Sequence, residues 1–190
     1  MESASRVKYY NNTVFVFVGD HGLHGDAGNM FPESFTKTSL LSQHVPLLFY
    51  CPLLLAPARI HNVCSQLDIL PSVATIAHQP YRNTTFGRNL FDSTDTKPKY
   101  AIIADADNKI VGLVSNEYYY SRQLETGHEE FLSVTGNNPP PKDAATNSVR
   151  NYMKALSGAW YQTAKWLLLN NKKDTEITKS TIVFFIRCVF

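Results

Sequence analysis

The chain has 190 residues, 44% of them hydrophobic, and its 18 Lys and Arg side chains nearly balance 16 Asp and Glu. This length suffices for roughly one domain with a buried core, and the absence of a basic run interleaved with aromatic residues argues against a nucleic-acid partner. The first ten residues lack an apolar core, and no apolar run approaches roughly 20 residues, so we expect neither a secretory signal nor a membrane-spanning helix here.

The first predicted element is a β-strand over Val14 to Val18. An apolar run without alternation is typical of a strand inside a parallel sheet that is covered on both faces. Gly19 ends the strand, and Asp20 and His21 follow at its C-terminal end, where open α/β sheets place ligand sites. A carboxylate beside an imidazole suits a divalent metal, and we expect the flanking glycines to leave room for an ion. The alternative is that Asp20 caps the next turn and His21 packs locally.

Residues 23–43 show no clean period, and because they directly follow Asp20 and His21 we predict a substrate-facing loop. His24 and His44 are its candidate substrate-binding or metal-binding residues. For His44, at the entrance to a second predicted strand, we favour contact with a substrate oxygen atom over structural packing or a second ion. For His24, an exposed loop histidine without a ligand is an equally good interpretation.

Helical spacing of apolar residues predicts a helix over Ser65 to His78, with Ser65 or Asp68 as its N-cap. We interpret Asp68 as a cap and not as a catalytic residue. After a predicted boundary near residue 97, short β-rich runs separated by Asp and Asn turns predict an antiparallel meander. The predicted strands of this meander are Tyr100 to Ala104, Lys109 to Ser115 and Tyr118 to Leu124.

An extended linker over Thr135 to Asn147 precedes a long amphipathic helix, which we expect Ser148 to cap and Asn170 to Lys173 to close. Burial against the rest of the chain is the favoured role of this helix, and docking on a membrane surface is the alternative. The apolar segment Thr181 to Phe190 suggests no function. Cys51, Cys64 and Cys188 are too few and too irregularly spaced for a disulfide framework or a zinc cluster, and Cys51 is expected to be buried.

Four sequence blocks occur in the order and at the spacing typical of one known family. The chain resembles, through these blocks, the C-terminal half of the sulfatase family in the alkaline phosphatase superfamily, and most closely its membrane-anchored, lipoteichoic-acid-synthase-like branch. The resemblance implies an α/β fold: part of a mostly parallel sheet with flanking helices, then a small antiparallel sheet and a long terminal helix. The blocks are Phe17-Val-Gly-Asp-His-Gly22, His44-Val-Pro-Leu-Leu-Phe-Tyr-Cys-Pro52, Gln66-Leu-Asp-Ile-Leu-Pro-Ser72 and Phe86-Gly-Arg-Asn-Leu-Phe91.

In that family the Asp-His pair binds the catalytic metal, so the resemblance implies that Asp20 and His21 hold a divalent ion such as zinc, manganese or calcium. The family's nucleophile lies in an N-terminal half, and no cysteine of this chain fits the Cys-x-Pro/Ala-x-Arg motif of true sulfatases. We therefore expect no catalytic nucleophile in these residues, a fragment that is inactive alone, and a missing N-terminal half as its partner.

The resemblance implies that the parent enzyme acts on phosphate or sulfate esters, either as a phosphoglycerol-type transferase or as a sulfuric ester hydrolase. It also implies a parent anchored in the cell envelope with its catalytic domain outside the cytoplasm, so that membrane contact arises through the parent's anchor. The alternative from another class is a non-catalytic binding module, or a truncated product, with a vestigial metal site.

The sequence divides into four predicted regions. Residues 1–97 are the C-terminal part of the sulfatase-like α/β core and carry the Asp-His motif. Residues 98–135 are the small β subdomain, 136–173 the linker and terminal helix, and 174–190 the apolar tail.

Overall fold

A computed structural model describes residues 1–170, so the predicted apolar tail and the helix end beyond Asn170 lie outside the described residues. The chain is mixed α/β and forms two compact units. The first unit comprises Met1–Ala101, Val114–Tyr118 and Leu132–Pro139. The second unit comprises, among the described residues, Ile102–Leu113, Tyr119–Phe131 and residues 140–170.

Short elements separated by loops make up most of the first unit. Its helices are α1 (Glu2–Ser5), α2 (Glu33–Lys37), α3 (Leu40–Gln43) and α4 (Ile69–Ile76), and its two 3-10 turns are Tyr10–Asn12 and Gln66–Asp68. Its strands are β1 (Phe15–Val18) and β2 (Leu47–Tyr50).

Strand β1 pairs antiparallel with β2, from Phe15 opposite Tyr50 to Val18 opposite Leu47. The predicted parallel surroundings of this strand, with cover on both faces, are wrong for the described residues. Phe17 is 47% and Val18 41% exposed, and β2 is the one strand that β1 pairs with there. An unbroken apolar run shows that both faces of a strand are suited to burial. It does not show whether the neighbouring strand runs parallel or antiparallel, or which polypeptide covers each face.

Aromatic packing covers the other end of the β1–β2 ribbon. The Tyr10 hydroxyl lies 2.6 Å from that of Tyr50, and the Phe15 ring lies 5.9 Å from that of Tyr10. On β2, Phe49 meets Phe91 edge to face at 5.3 Å. The ribbon is therefore anchored near Phe15 and Tyr50 and open near Phe17.

The region predicted as a structureless loop, residues 23–43, contains helices α2 and α3. Leu40 is 3% exposed and Ser42 3% exposed, so α3 packs into the unit. These helices have five and four residues, which is too short for a 3.6-residue apolar period to become visible in the sequence.

Helix α4 and its preceding turn confirm the predicted helix and, of the two alternative caps, Ser65 as the N-cap, with Asp68 as its capping-box partner. Ser65 Oγ accepts a hydrogen bond from the Leu67 N–H, and the Ser65 N–H donates to Asp68 Oδ2 at 2.9 Å, which forms a capping box. Asp68 is 2% exposed and also accepts from the Arg88 N–H at 2.8 Å. Its role in the structure is therefore that of a buried cap.

The meander predicted after residue 97 is present and has one strand more than the three predicted. Its strands are consecutive neighbours in the order β3–β4–β5–β6, and tight turns between sequential strands can join only antiparallel pairs. The ranges are Ala101–Asp105, Ile110–Val114, Tyr118–Gln123 and Glu129–Ser133. The core of the second unit consists mainly of Ile103, Val111, Leu113, Tyr119, Tyr120 and Met153.

Helix α5 runs over Ala144–Asn170, so it starts before the predicted cap Ser148. Asp143 Oδ1 accepts from the Thr146 N–H at 2.7 Å and takes the capping role, and Ala144 and Ala145 favour helix. Thr146, Met153 and Ser157 are buried, which confirms burial for the first half of the helix. No helix within residues 1–170 is long and apolar enough to cross a membrane.

The core tyrosine Tyr119 should make the stability of the chain fall at high pH. Burial raises the pKa of Tyr119 to about 12. Since the unfolded side chain ionises near 10, the unfolded state binds fewer protons between the two values, and the free energy of unfolding should drop by about 3 kcal/mol across that window. Urea unfolding at a series of pH values measures this effect.

Tyr119→Phe, which keeps the ring and removes the hydroxyl, should flatten that pH dependence. Tyr9→Phe is the matched control because Tyr9 is 59% exposed, and it should leave the dependence unchanged. If the free energy of unfolding fell with pH as steeply in Tyr119→Phe as in the unchanged chain, Tyr119 would not be the cause of the pH dependence.

Candidate metal-binding site

The turn that follows β1 is fixed by hydrogen bonds from two directions. The Gly19 N–H donates to the Pro46 carbonyl at 3.2 Å. The Gln66 side-chain amide donates to the Gly19 carbonyl at 2.7 Å and to the Asp20 carbonyl at 3.2 Å. The backbone of the Asp20–His21 pair is thus tied both to the segment before β2 and to the turn before α4.

Gly22 closes the turn through close backbone approach. Its N–H donates to the Ser42 carbonyl at 2.7 Å, and a Cβ built on Gly22 would lie 2.3 Å from the Leu41 carbonyl oxygen. A Cβ on Gly19 would likewise lie 2.9 Å from Val45 Cβ. The expectation that these glycines leave room for an ion is therefore wrong, because the space beside them is occupied by neighbouring protein atoms.

Although their backbone is fixed, the Asp20 and His21 side chains point outward. Asp20 is 85% and His21 73% exposed, and Asp20 Oδ2 lies 3.8 Å from His21 Nε2. The His21 N–H donates to Asp20 Oδ1 at 2.9 Å. This hydrogen bond is the main cause that lowers the pKa of the Asp20 carboxyl group.

A hydrogen bond from the other ring nitrogen of His21 sets the tautomer of the imidazole. Nδ1 lies 2.9 Å from the Gly22 carbonyl oxygen, and because a carbonyl can only accept, Nδ1 carries the proton when the ring is neutral. The lone pair is then on Nε2, the atom that lies near Asp20 Oδ2. A histidine held through Nδ1–H by a backbone carbonyl is the usual arrangement for a metal ligand.

The spacing of Asp20 Oδ2 and His21 Nε2 fits one shared cation. Zinc binds carboxylate oxygen and imidazole nitrogen at about 2.0–2.2 Å, and two donors 3.8 Å apart can both reach an ion between them. Two donors are fewer than a full ligand set, and within residues 1–170 no group of three or more His, Cys, Asp and Glu side chains could hold a metal. The pair therefore fits a metal as part of a larger site.

The other two candidate histidines have different surroundings. The His44 ring meets Phe31 and Phe35 edge to face, with centroids at 5.0 and 5.7 Å. His24 is exposed in the segment between β1 and α2. Of the four candidate residues, the structure shows Asp20 and His21 in direct proximity, while substrate contact by His24 and His44 stays a prediction.

Gln66 is the residue of this site that sequence reasoning missed. Gln66 opens the block Gln66-Leu-Asp-Ile-Leu-Pro-Ser72, and the Asp-His pair lies in the first of the same four blocks. That shared set of blocks was the one sequence feature that could have linked Gln66 to the pair. The contact joins residues 46 and 47 positions apart, which no local pattern can show. Gln66 is a positioning residue, since its amide contacts the backbone carbonyls of Gly19 and Asp20 and not the side chains of Asp20 and His21.

A cavity of about 290 Å³ also lies in the first unit, and Arg88 and Lys99 line it. Both cations already have acceptors in the protein. Arg88 donates to the Tyr100 and Val63 carbonyls and pairs with Asp68, and Lys99 pairs with Asp95 at 2.5 Å. The cavity therefore holds compensated charges that maintain the fold, and it defines no anion site.

The site is thus an exposed carboxylate–imidazole pair on a strand-end turn whose backbone is fixed by hydrogen bonds. The family model for sulfatases matches residues 1–79, the segment that contains this turn. The chain is similar in fold to a solved structure described as a 2-O GAG sulfatase, with a TM-score of 0.57 and 17% identity. That similarity covers 90% of this chain and 41% of the other. No curated protein matches the chain.

The family model matches less than half of the chain, and the structural similarity shows a shared fold over most of its length. The chain spans less than half of the solved sulfatase that it resembles.

Proposed function

We propose that this chain is the C-terminal part of a metal-dependent sulfatase-type enzyme that cleaves or transfers sulfate or phosphate esters. In this proposal Asp20 and His21 supply two of the metal ligands. The observation that carries it is the 3.8 Å approach of Asp20 Oδ2 to His21 Nε2 within the segment matched by the sulfatase family model.

The proposed contribution of these residues to catalysis is a preorganised pair of donors. Asp20 brings a negative charge and an oxygen ligand, and His21 brings a neutral nitrogen whose tautomer the Gly22 carbonyl sets. The Gln66 amide fixes the backbone at Gly19 and Asp20, so that little further ordering of this turn is needed when a metal binds. When bound, a divalent cation supplies a lowered pKa for a hydroxyl nucleophile and charge compensation for the ester oxygens.

The remaining ligands and the nucleophile are proposed to come from polypeptide outside these 190 residues. The open face of β1 supports this proposal, because Phe17 and Leu48 are 47% and 54% exposed and lie opposite each other in the ribbon. Exposed apolar side chains at the strand that leads into the site suit cover by further protein. The proposed complete enzyme is envelope-bound, and this chain alone should turn over neither sulfate nor phosphate esters.

Addition of Mn²⁺ to the full chain tests the metal pair even where binding is weak. Paramagnetic Mn²⁺ should broaden the backbone amide NMR signals of Asp20, His21 and Gly22 before those of other residues. Asp20→Ala and His21→Ala should each remove this local broadening, because each variant deletes one of only two donors. The measurement reads binding directly and requires no turnover.

Matched substitutions of exposed residues elsewhere control for general effects of charge and histidine. Asp107→Ala and His61→Ala should leave the broadening at Asp20–Gly22 intact, since both residues are exposed and lie outside the turn. Broadening that persists in Asp20→Ala, or that occurs first elsewhere in the unchanged chain, would refute a metal role for the pair.

Joining the chain to a nucleophile-bearing upstream segment separates the two proposed reactions. Activity on an aryl sulfate indicates sulfuric ester hydrolysis, and activity on a phosphoglycerol lipid indicates the transferase branch. His21→Ala should lower either activity by at least ~100-fold, because loss of a direct ligand should exceed the effects typical of outer-shell partners. Activity on neither substrate would favour a non-catalytic binding module.

A further inference from the structure

The second half of helix α5 exposes apolar side chains that the fold of the described chain does not use. Trp166 is 61%, Leu168 76% and Leu169 73% exposed, whereas the buried residues of the helix end at Ser157. At 3.6 residues per turn, Leu169 lies on the side of the helix opposite the half-buried Trp160, and Trp166 lies about 120° around the helix from it. Packing of the helix against its own unit therefore does not account for them.

The positive charge of α5 indicates what kind of partner could bind its exposed apolar side chains. Residues 144–170 contain no Asp or Glu, and their cations are Arg150, Lys154 and Lys165. Arg150 and Lys154 pair with Glu129, at 3.7 and 2.6 Å, but Lys165 is exposed next to Trp166. In the sequence, Lys172 and Lys173 follow directly. Residues 160–173 of the sequence therefore carry three lysines and no acidic residue.

Tryptophan, leucine and lysine without acidic neighbours are the composition of helices that lie in a membrane interface. Leucine side chains enter the acyl region, tryptophan prefers the headgroup level, and lysine attracts anionic lipid. A protein partner would need acidic residues to match the lysines and a pocket for each leucine, and a second copy of the same helix would place like charges together. The exposed surface therefore suits a negatively charged bilayer better than another copy of this chain.

We propose that residues 160–170 of α5 bind peripherally to the surface of a bilayer that contains anionic lipids. At 3.6 residues per turn, Leu169 lies near the middle of the inserted face, Trp166 and Leu168 lie at its two edges, and the long side chain of Lys165 extends from this face to the headgroups. This contact is separate from the metal site and would give the polypeptide its own membrane attachment. It does not depend on the proposed esterase function.

The two tryptophans of the chain, Trp160 and Trp166, both lie in this segment, so intrinsic fluorescence reports on it directly. Vesicles of phosphatidylcholine mixed with phosphatidylglycerol should shift the emission to the blue, and lipids with brominated acyl chains should quench it. Vesicles of phosphatidylcholine alone, or high salt, should weaken both effects, because screening removes the attraction of the lysines. No shift with the anionic vesicles would overturn the proposal.

The variant Leu168→Glu/Leu169→Glu should weaken vesicle binding at least ~tenfold, because each leucine contributes more than a kilocalorie of transfer free energy. Both positions are exposed, so the fold should persist, and circular dichroism checks this. The matched control is Leu23→Glu/Met30→Glu, where the leucine is 80% and the methionine 83% exposed in the first unit. That control should bind vesicles as the unchanged chain does.

Two further outcomes would assign the surface differently and overturn the proposal. A blue shift that grows with protein concentration without lipid, together with a dimer in sedimentation, would make a second copy the occupant. Vesicle binding that is lost in Phe184→Glu/Phe185→Glu but kept in Leu168→Glu/Leu169→Glu would place the membrane contact in the C-terminal segment instead.

Discussion

Asp68→Ala is expected to lower the free energy of unfolding by about 3–5 kcal/mol, the largest effect of any single substitution considered for this chain. The carboxylate is 2% exposed and accepts from the Ser65 and Arg88 N–H groups at 2.9 and 2.8 Å. It also lies 3.7 Å from the Arg88 guanidinium. Its removal would leave two part-buried donors without this acceptor and a partly buried cation without its anion.

Urea unfolding followed by circular dichroism measures this loss. Asp107→Ala is the matched control, since Asp107 is exposed and its replacement should change stability by less than about 0.5 kcal/mol. Asp68→Asn should fall between the two, because the amide keeps one acceptor oxygen for one of the two N–H groups. If Asp68→Ala were no more destabilising than Asp107→Ala, the buried network would not have the stabilising role assigned to it.

Gly22→Ala is expected to abolish the local effect of Mn²⁺ while the rest of the fold remains. The new Cβ would lie 2.3 Å from the Leu41 carbonyl oxygen, so the turn must move away from α3 and lose the hydrogen bond from Gly22 N–H to Ser42. The movement also displaces the Gly22 carbonyl from His21 Nδ1, so the hydrogen bond that sets the His21 tautomer is lost. Overpacking of this kind costs about 1–3 kcal/mol in stability.

Gly136→Ala is the control for this experiment, because a Cβ at Gly136 meets no atom within 4 Å and the residue does not have a positive φ. It should keep both the stability and the broadening at Asp20–Gly22. Persistence of that broadening at full strength in Gly22→Ala would show that the glycine does not position the pair.

Local chemistry in the sequence was sufficient to predict several features that the structure confirms. Ser65 and Asp68 were recognisable as caps because a capping box has a fixed spacing within one turn of chain. The strand β5 over Tyr118–Gln123 followed from its β-rich composition and flanking turns. Each of these features is decided by residues that are close together in the chain.

Features decided by distant residues were not predictable in the same way. The direction in which β1 pairs depends on β2, and the packing of His44 on Phe31 and Phe35 depends on the path of α2 and α3. The support that Gln66 gives to the Asp20 backbone depends on where a whole helix is placed. Long-range contacts of this kind leave no periodic trace in a single sequence.

The hydrogen bonds from Gln66 to Gly19 and Asp20 link the geometry of the metal pair to the thermal fraying of one short helix. Gln66 belongs to the same turn as Asp68, so any change that loosens the start of α4 also frees the strand-end backbone. Warming should therefore erode metal affinity at temperatures where most of the chain is still folded. Under the proposed function, heat inactivation of the complete enzyme would then begin as a reversible loss of the cation and not as global unfolding.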